Sequence, residues 1–426
     1  TVIVLLFVLA YFFPLGYILV VLAFWLLVLL CCVDVVLLFR NKNGVRGVRD
    51  TPEKLSNGDD NTLYLYLENR YPFAIKVAVI DEIPFQFQRR DVLFEAHIAT
   101  DATKIITYKL RPTKRGVYHF GALQVFVGTA IGLVQRRYCF EQGQTLPVYP
   151  SFIQMRQYEL LAISNRLQNY GIKKIRRIGH SMEFEPIRNY VAGDDYRTIN
   201  WKATARNRDI MVNQFQDEKS QAIYSIIDKG RVMKMPFEAM SLLDYAINAS
   251  LVIANIAIKK GDKAGLITFS HKIGSALLAS KRGSQIRHIQ EVLYKEETQF
   301  LETDYEKLYT LVHRKIKQRS LLLLFTNFET LSALYRQMPY LRKMAKNHLL
   351  VVVFFVNTEL LFLVDKKAST VEEVYQKTIA EKFIFEKKQI VNALQKHGIQ
   401  AILTPPKQLT VNTINKYLEL KSRGLI

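Results

Sequence analysis

The sequence predicts a multidomain chain in which a transmembrane helical hairpin is followed by a β-sandwich and then by a doubly wound α/β domain. Three observations support this. The first 39 residues are almost free of charge, residues 61–150 carry short strands that alternate apolar and polar side chains, and strands alternate with helices beyond residue 222. A chain of 426 residues also exceeds one ordinary core, because domains commonly span about 50–250 residues.

The N-terminal segment, residues 1–39, contains two apolar runs in which Asp34 is the only charged residue. A helix needs about 20 apolar residues to cross the hydrocarbon of a bilayer. Pro14 and Gly16 lie between the runs and suit a tight turn. The segment is therefore predicted to be a transmembrane hairpin. A cleaved signal peptide is the alternative, and it is disfavoured because the segment is long and no small-residue cleavage site follows it.

Residues 40–60 are predicted to form a basic linker. Four cations follow the second apolar run: Arg40, Lys42, Arg46 and Arg49. An excess of Lys and Arg within about 15–20 residues of a span marks the cytoplasmic side of a membrane. The soluble part of the chain is therefore expected to face the cytoplasm.

Residues 61–150 are predicted to form the β-sandwich. Short alternating or β-branched runs occur at residues 62–67, 75–80, 104–110 and 122–127, with Gly, Pro, Asn and Asp between them. Several short strands at such spacing are typical of an immunoglobulin-like sandwich. Residues 151–209 are interpreted as a connector, helical and basic over 152–179.

The last domain, residues 210–426, is predicted to open with an edge strand at 210–215. Further strands are predicted at 222–227, 263–269, 321–326, 349–356 and 400–404. Helices are predicted at 238–260, 284–293, 331–346, 371–397 and 413–423. Fully apolar strands that alternate with helices indicate a mainly parallel, doubly wound sheet.

The formal net charge of +21 is compatible with three kinds of partner: anionic lipid headgroups, an acidic protein and nucleic acid. The basic residues are scattered, and residues 173–177 form the one dense cluster. We therefore expect a membrane or protein partner and no nucleic acid. Cys31 and Cys32 lie in the apolar segment and Cys139 stands alone, so no disulfide framework is predicted.

Residues 183–206 are the most informative stretch of the chain. They combine arginines and carboxylates with aromatic and β-branched residues, including Trp201. Such groups pair well in a partly desolvated network, where bidentate hydrogen bonds are short and directional. Two interpretations remain open: a buried polar clamp between domains, and a surface on which a partner protein docks.

This stretch resembles the signature of the bacterial family called domain of unknown function 58. The resemblance rests on Phe184, Arg188, Tyr190, Gly193, Asp194, Asp195, Arg197, Ile199, Asn200, Trp201, Lys202, Ala205 and Arg206. Asn200 and Thr204 depart from the Asp and Ser that we expect there. The resemblance implies a bacterial cytoplasmic-membrane protein with a hairpin, a β-rich domain, the signature and a von Willebrand A-like domain. It also implies a MoxR-type AAA+ ATPase as partner, with the signature residues in the interaction.

Von Willebrand A-like domains hold Mg²⁺ with an Asp-x-Ser-x-Ser motif, a Thr from a later loop and an Asp after a later strand, and oxygen ligands of this kind suit the ion. The corresponding positions here are Asp228, Gly230, Val232, Thr303 and Asn327. Gly230 and Val232 lack the hydroxyl groups of the two motif serines, and Asn327 has an amide where the motif has its second Asp. The resemblance therefore implies a degenerate site that holds no metal.

Two cations flank the first of these positions. Lys229 and Arg231 are expected to disfavour a dication. Two interpretations stay open: one of the two cations pairs with Asp228 in place of the metal, or both belong to a solvated loop.

No phosphate-binding loop, dinucleotide fingerprint, HExxH or GxSxG motif is present. Asp194 and Asp195, with His180 nearby, would supply general acid and base groups to a hydrolase or transferase. The neighbouring arginines favour ion pairing instead. The sequence therefore predicts a non-enzymatic, membrane-anchored scaffold or adaptor without cofactor or small-molecule substrate. An enzyme using the Asp194 and Asp195 region is the alternative, and nucleic-acid binding through residues 173–177 is a weaker one.

Overall fold

The computed structural model describes residues 14–89, 93–163, 187–191, 196, 199–207, 209–213, 220–237, 240–298, 300–366, 368 and 370–425. The chain divides into two compact units, Thr1–Ser151 and Phe152–Ile426. The first apolar run, residues 2–13, lies outside the described residues, so the structure describes one apolar helix in this segment and the hairpin stays a prediction.

The N-terminal unit begins with helix α1, Pro14–Phe39. Residues Tyr17–Phe39 are apolar and long enough to span a membrane, and few of them are buried. This helix is suited to a membrane anchor or a signal sequence. Pro14 and Gly16, which were expected in a turn between the two apolar runs, belong to the described N-terminal end of this helix, where the fixed φ and missing N–H of proline are tolerated. A second helix of similar apolarity, Leu242–Lys259, is mostly buried and belongs to a core.

The rest of this unit is β-rich. Its strands are β1 Val45–Asp50, β2 Leu55–Ser56, β3 Asn61–Asn69, β4 Ile75–Asp81, β5 Leu93–Ile98, β6 Thr103–Leu110, β7 Gly116–Phe120, β8 Leu123–Gly128, β9 Gln135–Phe140 and β10 Gln144–Tyr149. They form three sheets with the orders β1-β3-β6, β2-β10-β7 and β5-β4-β8-β9. Alternate residues of β3 and β4 point into a shared apolar core that includes Leu65 and Val79. The predicted β-rich region is confirmed.

Residues 40–60 are not a plain linker, because they contain β1 and β2. Val45, Gly47 and Arg49 are buried on one face of β1, and the residues between them are exposed. The alternation was masked in the sequence by the charges of Arg46 and Arg49. Arg49 is buried, so it is not part of the cationic flank of the membrane segment.

Arg49 forms a buried ion pair with Asp81 of β4. Its Nε lies 3.2 Å from Asp81 Oδ2, and its guanidinium also donates to the carbonyl oxygens of Gly121 and Gln142. The hydroxyl of Tyr108 donates to the same carboxylate. Burial and the neighbouring carboxylate of Asp81 raise the pKa of Tyr108, which keeps its phenol protonated.

The C-terminal unit is an α/β structure. Its strands are β11 Ile187–Asn189, β12 Met211–Asn213, β13 Ala222–Asp228, β14 Pro236–Phe237, β15 Met240–Ser241, β16 Lys263–Phe269, β17 Ile273–Ser280, β18 Leu321–Phe325, β19 Leu349–Phe355 and β20 Gln400–Thr404. Its helices are α2 Phe152–Ile163, α3 Trp201–Thr204, α4 Leu242–Lys259, α5 Gln285–Lys295, α6 Tyr305–Lys315, α7 Leu331–Asn347, α8 Thr358–Asp365, α9 Val371–Lys396 and α10 Leu409–Ser422.

Six strands form the main sheet in the order β17-β16-β13-β18-β19-β20. Five of them are parallel, and β17 is antiparallel at one edge. Alternate residues of β18 enter two cores: Leu323 packs with α4 and α10 on one face, and Leu324 packs with α6, α7 and α9 on the other. The mixed, helix-covered sheet confirms the predicted α/β class.

Several local predictions were wrong. The strand at Met211–Asn213 pairs with Ile187–Asn189 in a separate two-stranded sheet and is not an edge of the main sheet. Helix α4 begins at Leu242 instead of residue 238, because the Ser241 hydroxyl caps it by accepting from the Asp244 backbone N–H at 3.2 Å. Strand β17 and helices α6 and α8 were not predicted.

Candidate functional site

The candidate site lies at the carboxyl ends of β13 and β18. When its six strands are numbered by their order in the chain, the main sheet has the strand order 3-2-1-4-5-6. The winding direction therefore reverses between β13 and β18. Ligands of open α/β sheets bind in the crevice at such a reversal. Asp228 is the last residue of β13, and Thr326 and Asn327 follow directly after β18. The topology thus brings Asp228 and Asn327, which the sequence analysis singled out, to one edge.

Asp228 is 1% exposed, and uncharged donors saturate its carboxylate. Oδ1 accepts from the Thr303 hydroxyl and from the Gly230 backbone N–H, each at 2.7 Å. Oδ2 accepts from the Thr326 hydroxyl at 2.7 Å. Because the Thr326 hydroxyl donates its hydrogen to Asp228, its oxygen accepts from the Tyr305 hydroxyl, 2.8 Å away. The sequence analysis identified Thr303 but missed Thr326 and Tyr305.

Burial governs the protonation of this cluster. Desolvation raises the pKa of Asp228 above its usual value of 3.8, although the hydrogen bonds from Thr303, Gly230 and Thr326 act in the opposite direction. Burial, and then the nearby Asp228 carboxylate, also raise the pKa of Tyr305. The cluster therefore favours a neutral state more than an exposed aspartate would.

These residues do not fit a Mg²⁺ ion. A Cβ atom at Gly230 would lie 2.1 Å from the Thr303 hydroxyl oxygen, so Thr303 already occupies the space that a motif serine would need. Val232 offers hydrocarbon only, and the side-chain oxygen of Asn327 accepts from Lys387 Nζ at 2.7 Å. Within the part of the chain that the structure describes, no three His, Cys, Asp or Glu side chains are grouped for a metal.

The interpretation that Lys229 or Arg231 pairs with Asp228 was wrong. Lys229 is buried and donates to Glu296 Oε2 at 2.5 Å. Arg231 is exposed and lies 3.6 Å from Glu302. The hydroxyl groups around Asp228 fill its acceptor positions, so neither cation is needed there.

A second recess lies beside Asn327. Its volume is about 460 Å³, and its walls are mostly apolar: Phe237, Leu242, Phe355, Leu360, Phe383 and Leu403. Lys387 of α9 also lines it and donates to the carbonyl oxygen of Phe328 at 2.5 Å. Burial lowers the pKa of Lys387 to about 8. No local sequence pattern predicts the contact of Lys387 with Asn327, because the two residues lie 60 positions apart in the chain.

The described part of the family signature is built around α3. Asn200 caps this helix by accepting from the Ala203 backbone N–H at 3.0 Å. Thr204 donates its hydroxyl to the Asn200 carbonyl at 2.9 Å and accepts from the Met211 N–H at 3.0 Å. The two residues that depart from the expected pattern therefore tie α3 to β12, which pairs with the strand that carries Arg188.

The side chains around α3 are largely exposed. Trp201 is 71% exposed, and Tyr190, Lys202 and Arg206 are exposed as well. An open recess of about 390 Å³ is bordered by Lys202 and Arg206. For these side chains the surface interpretation is favoured over the buried clamp.

The remaining signature residues lie outside the described part of the chain. They are Phe184, Gly193, Asp194, Asp195 and Arg197, together with the neighbouring His180 and the basic cluster at residues 173–177. The acid–base and nucleic-acid hypotheses rest on them and stay predictions.

Comparison with known proteins gives one family match. Residues 186–368 match the family described as "Protein of unknown function DUF58". A curated relative is the uncharacterized protein YeaD of Bacillus subtilis (strain 168), which is 27% identical over 221 residues, or 50% of this chain and 52% of the relative. The chain thus spans about half the length of that relative.

Two solved structures show distant similarity. The conserved hypothetical protein BatB from Bacteroides thetaiotaomicron aligns with a TM-score of 0.31 at 10% identity, over 48% of this chain and all of BatB. The PapD-like domain 7 of human CEP192 aligns with a TM-score of 0.21 at 13% identity, over 25% of this chain and 87% of that domain. Scores this low carry no argument about this chain.

Proposed function

This chain carries a DUF58 region over residues 186–368, and from that premise we propose that it is a non-enzymatic, membrane-anchored scaffold or adaptor. Its partner in this proposal is a MoxR-type AAA+ ATPase, with which it acts in the assembly or maturation of other proteins. Helix α1 anchors it in the bacterial cytoplasmic membrane, and both soluble units face the cytoplasm.

The exposed surface of α3 is the observation that supports this proposal most directly. Trp201 is largely exposed, and so are Lys202 and Arg206, the two cations that follow it in the chain. Trp and Arg are enriched among the residues that dominate binding energy at protein interfaces. The hydrogen bonds of Asn200 and Thr204 hold the surface in place, so little ordering entropy is lost when a partner binds.

The charge of this surface indicates the chemistry of the partner. Lys202 and Arg206 border one open recess, and the chain as a whole has a net charge of +21. A positive patch favours a complementary acidic patch, which speeds encounter and orients the partners. We therefore assign an acidic surface of the ATPase as the docking partner of α3.

In this proposal the C-terminal unit is von Willebrand A-like and works without a metal, and the β-rich region is an immunoglobulin-like sandwich. The strand order of the main sheet and the position of Asp228 at its reversal support the first assignment. Because the Asp228 carboxylate is already saturated by Thr303, Gly230 and Thr326, partner binding through a metal-bridged acid is not part of the proposal.

Crosslinking in native membranes tests the proposal. The full chain is purified through its C-terminus, and the proteins recovered with wild type, Trp201→Ala and Tyr335→Ala are compared. Tyr335 is an exposed aromatic residue of α7 and serves as the matched control. We expect to recover an AAA+ ATPase with wild type and with Tyr335→Ala. Trp201→Ala should recover about tenfold less of it, which corresponds to a loss of about 1.4 kcal/mol in binding free energy, as for a hot-spot residue.

Thermal melting of each purified variant shows whether it remains folded. Equal recovery of the ATPase with folded Trp201→Ala would remove α3 as the docking surface. Recovery of other membrane proteins without any AAA+ ATPase would overturn the ATPase partnership itself.

A further inference from the structure

The junction between α1 and the β-rich region is built around a buried acid. Asp34 is fully buried, although it belongs to an otherwise apolar helix. Its carboxylate accepts from the Thr129 hydroxyl and from the backbone N–H groups of Leu133, at 3.0 Å, and Val134, at 2.9 Å. Residues 129–134, the loop between β8 and β9, therefore lie beside α1 at the level of Asp34.

A second set of hydrogen bonds fixes the end of the helix. The Tyr71 hydroxyl donates to the Leu38 carbonyl at 2.7 Å, and Arg136 Nη1 donates to the carbonyls of Leu38 and Asn41 at 2.6 and 2.7 Å. The last carbonyls of a helix lack partners within the helix, and a cation there is favoured by the helix dipole. The guanidinium also lies 4.9 Å from the ring centre of Phe39. Helix α1 is thus joined firmly to the β-rich region.

The loop turns two aliphatic side chains outward. Ile131 is 42% exposed and Leu133 is 44% exposed, whereas Thr129 is buried beneath them. The Thr129 hydroxyl accepts from the Ile131 N–H at 3.1 Å, and Gly132 turns the chain with a φ of +74°. No charged residue occurs from position 128 to 134. An uncharged tip thus lies next to an apolar helix.

The C-terminal end of α1 sets the depth of this tip. Asp34 lies six residues before Arg40, which is about 9 Å along a helix, and the hydrocarbon ends where such cations begin. Asp34 then lies at the edge of the hydrocarbon, where its polar partners in the loop are tolerated. The exposed cations Arg40 and Lys42 follow at the headgroup level, where each Lys or Arg near an anionic surface contributes about 1 kcal/mol.

We infer that the 129–134 loop is a second membrane contact: it inserts Ile131 and Leu133 into the lipid interface beside α1 and seats the β-rich region on the bilayer. This inference rests on the proposed role of α1 as a membrane anchor. The partner is the lipid bilayer, because the apolar tip continues the exposed apolar surface of α1 at the same depth.

Fluorescence quenching by brominated lipids tests the inference on the full chain in nanodiscs. The chain has two tryptophans, so Trp201→Phe leaves Trp25 of α1 as a reporter of the anchor. In a Trp25→Phe/Trp201→Phe background, Ile131→Trp reports on the loop. Glu141→Trp is the matched control, because this exposed residue follows the six-residue strand β9 and lies about 20 Å along it from the loop.

We expect brominated lipid to lower the fluorescence of Ile131→Trp about twofold and to leave Glu141→Trp unchanged, as for a side chain within the interface. Quenching of Trp25 without quenching of Ile131→Trp overturns the loop contact and leaves the anchor intact. Absence of quenching at Trp25 overturns the anchor and the loop contact together. If the melting temperature of Ile131→Trp is lower than that of the tryptophan-free protein, Leu133→Trp is used instead to report on the same loop.

Discussion

Asp81, a buried aspartate of the β-rich region, and Asp228, a buried aspartate of the α/β unit, are neutralised in different ways. Asp81 in the β-rich region meets the guanidinium of Arg49 and the hydroxyl of Tyr108. Asp228 in the α/β unit meets two threonine hydroxyls and a backbone N–H, all of them uncharged. The first carboxylate carries a full counter-charge within its site, whereas the second relies on dipoles and on its raised pKa.

The two aspartates occupy different positions in the fold. Arg49 lies on β1 and Asp81 on β4, strands of two different sheets, so their ion pair joins the sheets inside the core. Asp228 lies at the rim of a crevice, at the place where sheets of this kind bind ligands. The ion pair of Asp81 thus joins two sheets, whereas the acceptor positions of Asp228 are filled by donors of its own chain.

The largest expected effect is at the first acid. Asp81→Asn leaves the buried guanidinium of Arg49 without its partner, so we expect a loss of about 3–5 kcal/mol in the free energy of unfolding. Chemical denaturation of the purified chain measures it. Glu68→Gln, which breaks the exposed pair with Arg70, is the control and should change stability little. Equal effects of the two variants would contradict a structural role for the buried pair.

A smaller loss is expected at Gly230. Its φ of −67° suits any residue, so the cost of Gly230→Ala arises from the close contact with Thr303 and is about 1–3 kcal/mol. Gly283→Ala, where a Cβ atom meets nothing within 4 Å, is the control and should be neutral or stabilising.

A double variant sharpens this prediction. Thr303→Ala removes the atom nearest to the new methyl group, so Gly230→Ala/Thr303→Ala should lose less stability than the sum of the single variants. Strict additivity in thermal melting would show that Thr303 does not occupy the serine position.

The smallest effect, and the one of opposite sign, is expected for Asp228→Asn. Because the pKa of Asp228 is raised by folding, its contribution to stability is fully present below pH 3.8, the usual value, and is lost as the pH rises through the folded pKa. Asparagine does not titrate. We expect wild type and variant to agree within about 1 kcal/mol at acidic pH, and the variant to be the more stable at neutral pH.

Thermal melting of wild type and Asp228→Asn from acidic to neutral pH measures this difference in stability. A variant that is less stable than wild type by the same amount at every pH would show that the ionised carboxylate is not penalised by its burial.

The sequence was sufficient to predict those strands that a local pattern of apolar residues determines. The run predicted as a strand at 321–326 is observed at Leu321–Phe325, and the run at 349–356 is observed at Leu349–Phe355. Both are almost wholly buried, since a parallel strand covered by helices on both faces needs apolar residues throughout. The link between α3 and β12 was not predicted, because no local pattern shows that the Thr204 hydroxyl accepts from the Met211 N–H seven residues further along the chain.

Non-local pairing set the limit of prediction. Arg49 was counted with the membrane flank because its partner Asp81 lies 32 residues away. Lys387 was overlooked because nothing near it in the chain indicates Asn327. Asp304 directly follows the predicted ligand Thr303, and its carboxylate caps α6 by accepting from the Lys307 N–H at 3.1 Å. Only the packed structure shows that Thr303 contacts Asp228 while its neighbour caps the helix.

The Asp34 junction has a consequence for the order of events during synthesis. Its partners Thr129 and Val134 lie 95 and 100 residues further along the chain. At translation rates of about 5–20 residues per second, α1 precedes these partners by about 5–20 s. During that interval the acid has no loop to receive it, and water must solvate it. For the membrane anchor proposed above, insertion of α1 is therefore expected to stop with Asp34 outside the hydrocarbon, and the later folding of β8 and β9 would fix that depth.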